Sequence, residues 1–291
     1  MIKKSSKRLS TIALIGSGNL AHALGPALCN AGYRIESVAF RDTAPSKRRA
    51  RALAKALGAR AVPLQQARPE TDVIWLCHTD DALAETARRL ARKEGWKGKV
   101  VLHSSGALPS SVLSPLRQAG ARTASLHPMM TFVPGTVPRM REVPFAVEGD
   151  RAAVAVARKI ASDLGAESFA IKPSSKTLYH ALGSFSSPLV VATLVTAERV
   201  GRGAGLTRSQ IRKIMQPILE QTFKNYLERG AAAAFSGPVK RGDLDTIRRH
   251  LHELKRVPGA REVYRALVRS AIRDLPASRE ERQLRMLGHS K

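Results

Sequence analysis

Short apolar runs alternate with amphipathic helical patterns along the first half of the chain. Strands are predicted at residues 11–15, 35–40, 72–77, 99–103, 123–126, 144–147 and 168–171, and those at 72–77 and 99–103 are expected to be buried. Helices are predicted between them, the first through Leu20, Leu24 and Leu28 and the others at 48–57, 82–93 and 152–164. Strands and helices that alternate in this way favour a doubly wound, mostly parallel sheet with right-handed crossovers.

The pattern changes after Pro173, where only helical periodicity continues. A long helix is predicted at 176–202 with a kink or break at Pro188, and further helices begin after Thr207, after Asp243 and at Ala260. The sequence therefore predicts a sheet domain at 9–172 and an all-helical domain at 173–278, preceded by a basic tail at 1–8.

A glycine-rich turn joins the first predicted strand to the first helix. The segment GSGNLA at 16–21 matches the G-x-G-x-x-G/A pattern of Rossmann dinucleotide-binding domains. The first glycine permits the tight turn, the second lets a diphosphate approach the backbone, and the helix N-terminus favours the anion. We therefore predict that a dinucleotide contacts Gly16, Ser17, Gly18, Asn19 and Leu20.

The end of the second predicted strand bears on the choice of cofactor. Arg41 stands where an arginine accommodates the 2′-phosphate of NADP, and this position favours NADP(H). Asp42 leaves the alternative that a carboxylate binds the ribose of NAD. Further cofactor contacts are predicted at strand ends, from Thr79, Asp80 and Ser104, although Asp81 in the same segment could equally serve only to cap the following helix.

Two histidines and a serine follow the fourth and fifth predicted strands. His103, Ser105 and His127 should meet at the carboxyl edge of the sheet, where a neutral imidazole could orient or deprotonate an alcohol. The alternative is structural: His103 would pack within the sheet, and His127 would fix the turn before Pro128.

A second set of polar residues lies on one face of the helix predicted from residue 176. Lys176, Tyr179, His180 and Ser187 recur at helical spacing, and a lysine there could stabilise a developing alkoxide. A solvated helix surface would show the same pattern. Arg241, in the loop 236–243, is a candidate ligand for a substrate carboxylate, although this loop could serve the turn alone.

The chain is strongly basic, with 49 Lys and Arg against 23 Asp and Glu and a formal net charge of +26. The basic residues are scattered, so a solvated surface is favoured over a nucleic-acid site. Neither a membrane span nor a metal site is predicted. The apolar run near the N-terminus is too short for a secretory signal, and Cys29 and Cys77 fit inert thiols in a reducing cytoplasm.

Five segments together resemble a known bacterial family of Rossmann-like proteins that carry the C-terminal domain of unknown function 2520. They are GSGNLA, HSSGAL at 103–108, SLHPMMTF at 125–132, KTLYHALGSFSSP at 176–188 and GPVKRGDLDTIRRHL at 237–251. The family is similar to pyrroline-5-carboxylate reductase, deazaflavin-dependent NADP oxidoreductases and the 6-phosphogluconate dehydrogenase-like group. The resemblance implies an NADP-type domain and a helical domain that forms a homodimer, but no substrate.

More distant likenesses suggest individual roles. His127 lies in a His-Pro-Met segment like that of the catalytic histidine of prephenate dehydrogenases, and Lys176 matches the lysine of hydroxyacid dehydrogenases. His180 stands where those enzymes have an amide, and the named family usually has Ser-Asn at Ser186-Ser187.

The leading hypothesis is an NADP(H)-dependent oxidoreductase for a small, carboxylated substrate bound between the two domains. His127 and Lys176 would be the acid and base, Ser105 would orient the substrate, and Arg241 would bind its carboxylate from the same or a second subunit. The alternatives are a non-catalytic NADP-binding regulator or scaffold and, less favoured, a nucleic-acid-binding protein.

Overall fold

The computed structural model describes residues 10–136 and 138–276, so the basic tail predicted at 1–8 lies outside the described residues. The chain divides into two compact units, Met1–Ser186 and Ser187–Lys291. The helix that begins at Lys176 belongs to the first unit, whereas the change of sequence pattern places the domain boundary at 172/173. The domain limits stay a prediction.

The first unit is built on a sheet whose strand order, within the described residues, is β3-β2-β1-β4-β5-β6-β7-β8. Neighbouring strands are parallel except β6 and β7, which are antiparallel. This confirms the mostly parallel sheet. The strands are β1 (Thr11–Ile15), β2 (Arg34–Phe40), β3 (Arg60–Pro63), β4 (Val73–Leu76), β5 (Val100–His103), β6 (Arg122–Pro128), β7 (Phe145–Gly149) and β8 (Ser168–Ala170).

Helices cover both faces of this sheet, as the doubly wound prediction requires. A core on each face confirms it, with Trp75 in one core and Trp96 in the other. The strand VIWL is buried at all four positions because both of its faces are covered. The helices are α1 (Asn19–Asn30), α2 (Ala44–Leu57), α3 (Asp80–Ala91), α4 (Ser114–Gln118), α5 (Arg151–Asp163) and α6 (Lys176–Ser186).

β3 and α4 of the first unit were not predicted, and α2 begins well before its predicted start. β3 was missed because it is a short edge strand of mixed polarity, and α4 because it is only one turn long. α2 starts at Ala44 rather than at residue 48, since Thr43 occupies the N-cap and a proline stands in the first turn.

The second unit consists of helices in its described part, which confirms the all-helical prediction. They are α7 (Pro188–Gly203), α8 (Arg208–Ala234), α9 (Pro238–Arg241), α10 (Leu244–Glu253) and α11 (Ala260–Asp274). The predicted break before Pro188 is confirmed, because Ser187 has non-helical backbone angles. Both predicted caps are present: Thr207 forms a capping box with Gln210, and Asp243 accepts a hydrogen bond from the Thr246 N–H at 3.1 Å.

By length and composition alone, one helical stretch among the described residues could cross a membrane, namely Pro173–Gly203. The sequence analysis predicted no such span. The stretch is interrupted at Ser187 and begins beside a buried lysine, Lys176, whose contacts with the sheet are described below.

Candidate functional site

The turn between β1 and α1 has the geometry that a dinucleotide diphosphate requires. Gly16 has φ +110°, and a Cβ there would lie 2.8 Å from the Cys77 carbonyl oxygen, so only glycine fits. Gly18 is the N-cap of α1 and makes no side-chain cap. The first N–H groups of α1 therefore face the turn without a side-chain acceptor, and a bound anion can accept from them.

A pocket of about 550 Å³ opens beside this turn, at the carboxyl ends of β1, β2 and β4. Of the predicted cofactor residues, Gly16, Ser17, Gly18, Arg41 and Thr79 line it. The sequence analysis missed further lining residues, among which Thr43, Ser46 and Arg49 lie on or next to the first turns of α2. Asp42, the residue that could have favoured NAD, is exposed and does not line the pocket.

Hydrogen bonds fix the rim of the pocket. The Arg41 backbone N–H donates to the Ser46 Oγ at 3.1 Å, and the Arg49 guanidinium donates to the Asn19 Oδ1 at 3.0 Å. Asn19 in turn donates to the Phe132 carbonyl oxygen at 3.0 Å, which ties the segment after β6 to the start of α1. Two arginines are thereby placed beside the pocket, where they can bind a phosphate.

The other predicted cofactor residues lie nearby in different surroundings. Leu20 packs against a core of the sheet, and Asp80 is the exposed first residue of α3. Ser104 accepts a hydrogen bond from the Trp75 indole N–H at 2.8 Å, which gives its hydroxyl a structural partner. Thr79 is the N-cap of α3, and its hydroxyl contributes most to lowering the pKa of Asp81.

His78 also lines the pocket, and no sequence signal marked it. Its Nε2 atom is buried without a hydrogen-bond partner in the described structure. Burial, followed by the charge of Arg41, lowers the pKa of His78 to about 4, so the ring is neutral at neutral pH.

A second group of polar side chains surrounds Lys176, the first residue of α6. This side chain is fully buried, and its Nζ donates to the Ser105 carbonyl oxygen at 2.8 Å and to the Ser125 Oγ at 2.6 Å. Burial lowers the pKa of Lys176 to about 8, against the opposing attraction of Glu148 and Asp80. The amine thus links α6 to the ends of β5 and β6.

His127 and Tyr179 form a hydrogen-bonded pair, with 2.9 Å between the His127 Nδ1 and the tyrosine hydroxyl oxygen. Burial, followed by the charges of Lys176 and His180, lowers the pKa of His127 to about 3. Burial raises the pKa of Tyr179 to about 12. Both side chains are therefore uncharged at neutral pH, and the tyrosine hydroxyl keeps its proton in the hydrogen bond to the His127 Nδ1.

Gly106 lies directly against this pair. A Cβ at Gly106 would lie 2.7 Å from the His127 Nε2 and 2.6 Å from the His180 Cδ2. The ring centroids of His127 and His180 are 6.0 Å apart. Gly106 is buried and packs directly against the two rings, so a residue with a side chain does not fit there without moving them.

His103 and Ser105 hold the loop after β5 rather than project from it. The fully buried His103 accepts the Ser105 N–H at its Nδ1, 3.1 Å away, and Ser105 Oγ accepts the Leu108 N–H at 2.8 Å. Burial, followed by the charge of Lys176, lowers the pKa of His103 to about 3, so this ring is also neutral.

The structure therefore gathers five predicted catalytic or substrate residues within the first unit: Ser105, His127, Lys176, Tyr179 and His180. Ser187 and Arg241 belong to the second unit. Sequence reasoning placed Ser125 at this edge of the sheet without giving it a role, and it missed Glu148. A carboxylate within the apolar strand FAVEG could have drawn attention to Glu148. The carboxylate oxygens of Glu148 accept hydrogen bonds from the Ser110 backbone N–H at 2.6 Å and from the Ser110 hydroxyl at 2.7 Å.

The sheet order and the glycine turn define a Rossmann-type fold with a dinucleotide-binding turn. Residues 3–128 match the family described as Rossmann-like domain, and residues 143–271 match Domain of unknown function (DUF2520). The chain thus matches a Rossmann-like domain and, after it, a DUF2520 domain, which confirms the resemblance found in the sequence. No curated protein matches it.

Three solved structures show the same fold along nearly the whole chain. A candidate NADP oxidoreductase from Bacteroides fragilis is 26% identical, with a TM-score of 0.75, and covers 90% of this chain and 97% of its own. Protein TM1727 from Thermotoga maritima is 22% identical, with a TM-score of 0.69 and coverage of 95% and 97%. A reductive aminase from Aspergillus terreus, in complex with NADPH and ethyl levulinate, is 16% identical, with a TM-score of 0.63 and coverage of 97% and 100%.

Proposed function

We propose that this chain is an NADP(H)-dependent oxidoreductase that acts on a small, carboxylated substrate. The observation that carries the proposal is the glycine turn with its free helix N-terminus, next to a pocket flanked by Arg41 and Arg49. The Bacteroides protein and the NADPH-bound aminase support the same cofactor class. NADPH, when bound, supplies the hydride; the residues of the chain bind the nucleotide and handle the proton.

The choice of NADP over NAD rests on charge at the pocket rim. Two guanidinium groups flank the pocket, and neither Asp42 nor Asp81 lines it, although Asp81 is near enough to Arg41 to feel its charge. A 2′-phosphate carries charge that guanidinium groups bind through charge-assisted hydrogen bonds. Such a rim favours NADP(H).

Proton transfer is assigned to His127 and Tyr179. The Nδ1 atom of the neutral imidazole is hydrogen-bonded to the tyrosine hydroxyl, whereas its Nε2 atom, next to Gly106, has no hydrogen-bond partner among the described residues. When the Nε2–H gives its proton to the substrate, the Nδ1 atom takes the proton of the Tyr179 hydroxyl, and the tyrosinate then regains a proton from solvent. Lys176 is fully buried, so it acts here by holding the Ser105 loop and by placing a positive charge nearby.

The charges of the same cluster do not select the substrate, because the buried Glu148 carboxylate attracts the Lys176 amine and offsets its charge. Arg241 stays the proposed ligand of the substrate carboxylate. Replacing it by alanine should raise KM for the substrate more than it lowers kcat.

NADPH consumption with imines, ketones and hydroxy acids (the last with NADP⁺) tests the function. A substrate that turns over should lose at least about a hundredfold in kcat in His127→Gln, since acid–base catalysis contributes about that much. Tyr179→Phe should show a smaller loss, because it removes only the relay. Full turnover by both His127→Ala and Lys176→Ala would refute the assigned roles.

A non-catalytic NADP-binding regulator is the second candidate. The amine of Lys176 donates its hydrogen bonds to Ser105 and Ser125 of the protein rather than to a free site. His180 also replaces the amide of hydroxyacid dehydrogenases. Tight NADPH binding without turnover on any tested class would favour this candidate. A nucleic-acid role would instead require DNA binding that weakens steeply with salt.

We further propose a cytoplasmic homodimer formed through the C-terminal helices. α8 has one buried residue, Ile211, among its 27, and it carries exposed apolar side chains at Ile214, Ile218, Phe223, Tyr226 and Leu227. Exposed apolar surface of this extent is typical of an interface. Light scattering should give twice the chain mass of 31.5 kDa, and a monomer would contradict the proposal.

A further inference from the structure

Three arginines of the second unit have an unusual environment. They are Arg199 on α7 and Arg261 and Arg265 on α11, and the Nε atom of each is buried without a hydrogen-bond partner. Among the described residues, five buried side-chain atoms lack a hydrogen-bond partner, and three of the five are these arginine Nε atoms. Buried donors are normally satisfied, so such a concentration needs an explanation.

The backbone brings the three side chains to the first turns of α11. Arg261 and Arg265 are one turn apart, on the same helix face as the buried Val268 and Ile272. α7 packs against α11, and an Arg199 Nη lies 3.9 Å from where a Cβ would stand on Gly259. Gly259 is the N-cap of α11 and provides no side-chain cap.

None of the three guanidinium groups is neutralised by a carboxylate within the described residues. The same region pairs other arginines with acids, as in Arg256 with Glu253 at 2.9 Å and Arg273 with Asp274 at 2.9 Å. Arg199 donates only a long bond of 3.5 Å to the Thr196 hydroxyl. Three cations that are partly withdrawn from water and lack a counter-charge favour an anionic ligand.

We propose that Arg199, Arg261 and Arg265, together with the N-terminus of α11, form a binding site for a phosphate-class anion with two or more negative charges. Guanidinium forks match phosphate oxygens, and the free N–H groups of the helix add further donors. The site lies wholly in the second unit and is independent of the proposed oxidoreductase function.

Calorimetric titration of the full-length chain with pyrophosphate at low ionic strength tests the site. The Arg41→Gln/Arg49→Gln background should be used, so that anions bound in the dinucleotide pocket do not contribute. We expect binding that the further change Arg261→Gln/Arg265→Gln weakens by about tenfold or more, as loss of charge-assisted bonds implies. Arg269→Gln, an exposed arginine of the same helix, is the matched control and should leave the affinity unchanged.

Protection from chemical modification is a second measurement, and it uses only the wild-type chain, so it does not depend on whether the arginine variants fold. Phenylglyoxal modification of the wild-type chain, followed by peptide mass spectrometry, should be slowed by pyrophosphate at Arg199, Arg261 and Arg265 but not at Arg269. Absence of both binding and protection would overturn the proposal. So would an equal loss of affinity in Arg269→Gln, since that would indicate attraction by net charge alone.

Discussion

Replacing Lys176 by methionine removes a buried amine from the first unit while it keeps a long, unbranched side chain. In the folded chain burial lowers the pKa of this amine from 10.5 to about 8. Below about pH 8 the amine is charged in both the folded and the unfolded chain, and the full cost of burying the charge is present. As the pH rises toward 10.5, the folded form loses its proton first, and the stability of the wild-type chain increases.

The size of this increase follows from the two pKa values. With 10.5 for the unfolded and about 8 for the folded state, linkage gives roughly 2 kcal/mol of added stability between about pH 7 and about pH 9.5. Methionine also leaves the Ser105 carbonyl and the Ser125 hydroxyl without their donor. That costs roughly 1–3 kcal/mol, and it is the same at every pH. The difference between the two pH values is therefore the diagnostic quantity.

Urea unfolding followed by tryptophan fluorescence is the assay, because Trp75 and Trp96 both lie in the first unit. We expect the wild-type chain to gain about 2 kcal/mol relative to Lys176→Met between the two pH values. The control is Lys172→Met, because Lys172 is an exposed lysine just before α6. Its stability should change with pH as that of the wild type does. If Lys176→Met shows the same pH dependence as the wild type, the amine is not buried as described.

Three further predictions concern the pocket and the histidine cluster. Arg41→Glu should weaken NADPH binding by about tenfold or more and NADH binding much less; equal losses in a fluorescence titration would refute the 2′-phosphate assignment. Gly106→Ala should lower kcat at least about tenfold, because the new methyl group forces His127 and His180 apart, and an unchanged kcat would show that these rings are not at the reacting centre. Because the pKa of His127 lies at about 3, the ratio of wild-type to His127→Gln turnover should stay constant between about pH 5 and pH 7, and an inflection near the ordinary histidine pKa of about 6.5 would contradict a neutral ring.

Local signals were sufficient for most of the fold. The glycine turn, the buried strand at 72–77 and the caps at Thr207 and Asp243 each depend on a few neighbouring residues, and all were confirmed. β3 depends instead on pairing with β2 at the sheet edge, a long-range contact that its own four residues do not encode. Such edge strands are poorly specified by periodicity.

The candidate site shows the same division between local and long-range information. Helical spacing correctly placed Lys176, Tyr179 and His180 on α6, but it indicated an exposed polar stripe and a buried apolar face. In the structure Lys176 is buried, whereas Leu178, Leu182 and Phe185 are exposed. Which face of a helix packs on a sheet depends on the partner surface, here Ser105 after β5 and Ser125 in β6, and no single-helix pattern contains that information.

Arg49 and Ser46 could have been found from the sequence. Thr43 followed by Pro45 is a helix start, and it places these two residues on the first turns of α2, beside the pocket. His78 had no comparable signal, because its significance comes only from the approach of β4 to the glycine turn.

Titration of the purified chain with NADPH tests the central claim most directly when it is paired with Gly18→Ala. Gly18 has φ −73°, and an added Cβ would be 3.7 Å from the Cys77 carbonyl oxygen, an ordinary contact, so the variant should fold normally. The same methyl group would occupy the space through which a diphosphate reaches the backbone. We predict saturable NADPH binding by the wild type and its loss in Gly18→Ala at unchanged urea stability. A wild-type chain that binds no nicotinamide dinucleotide, or a Gly18→Ala chain that binds NADPH as tightly as the wild type, would contradict the account.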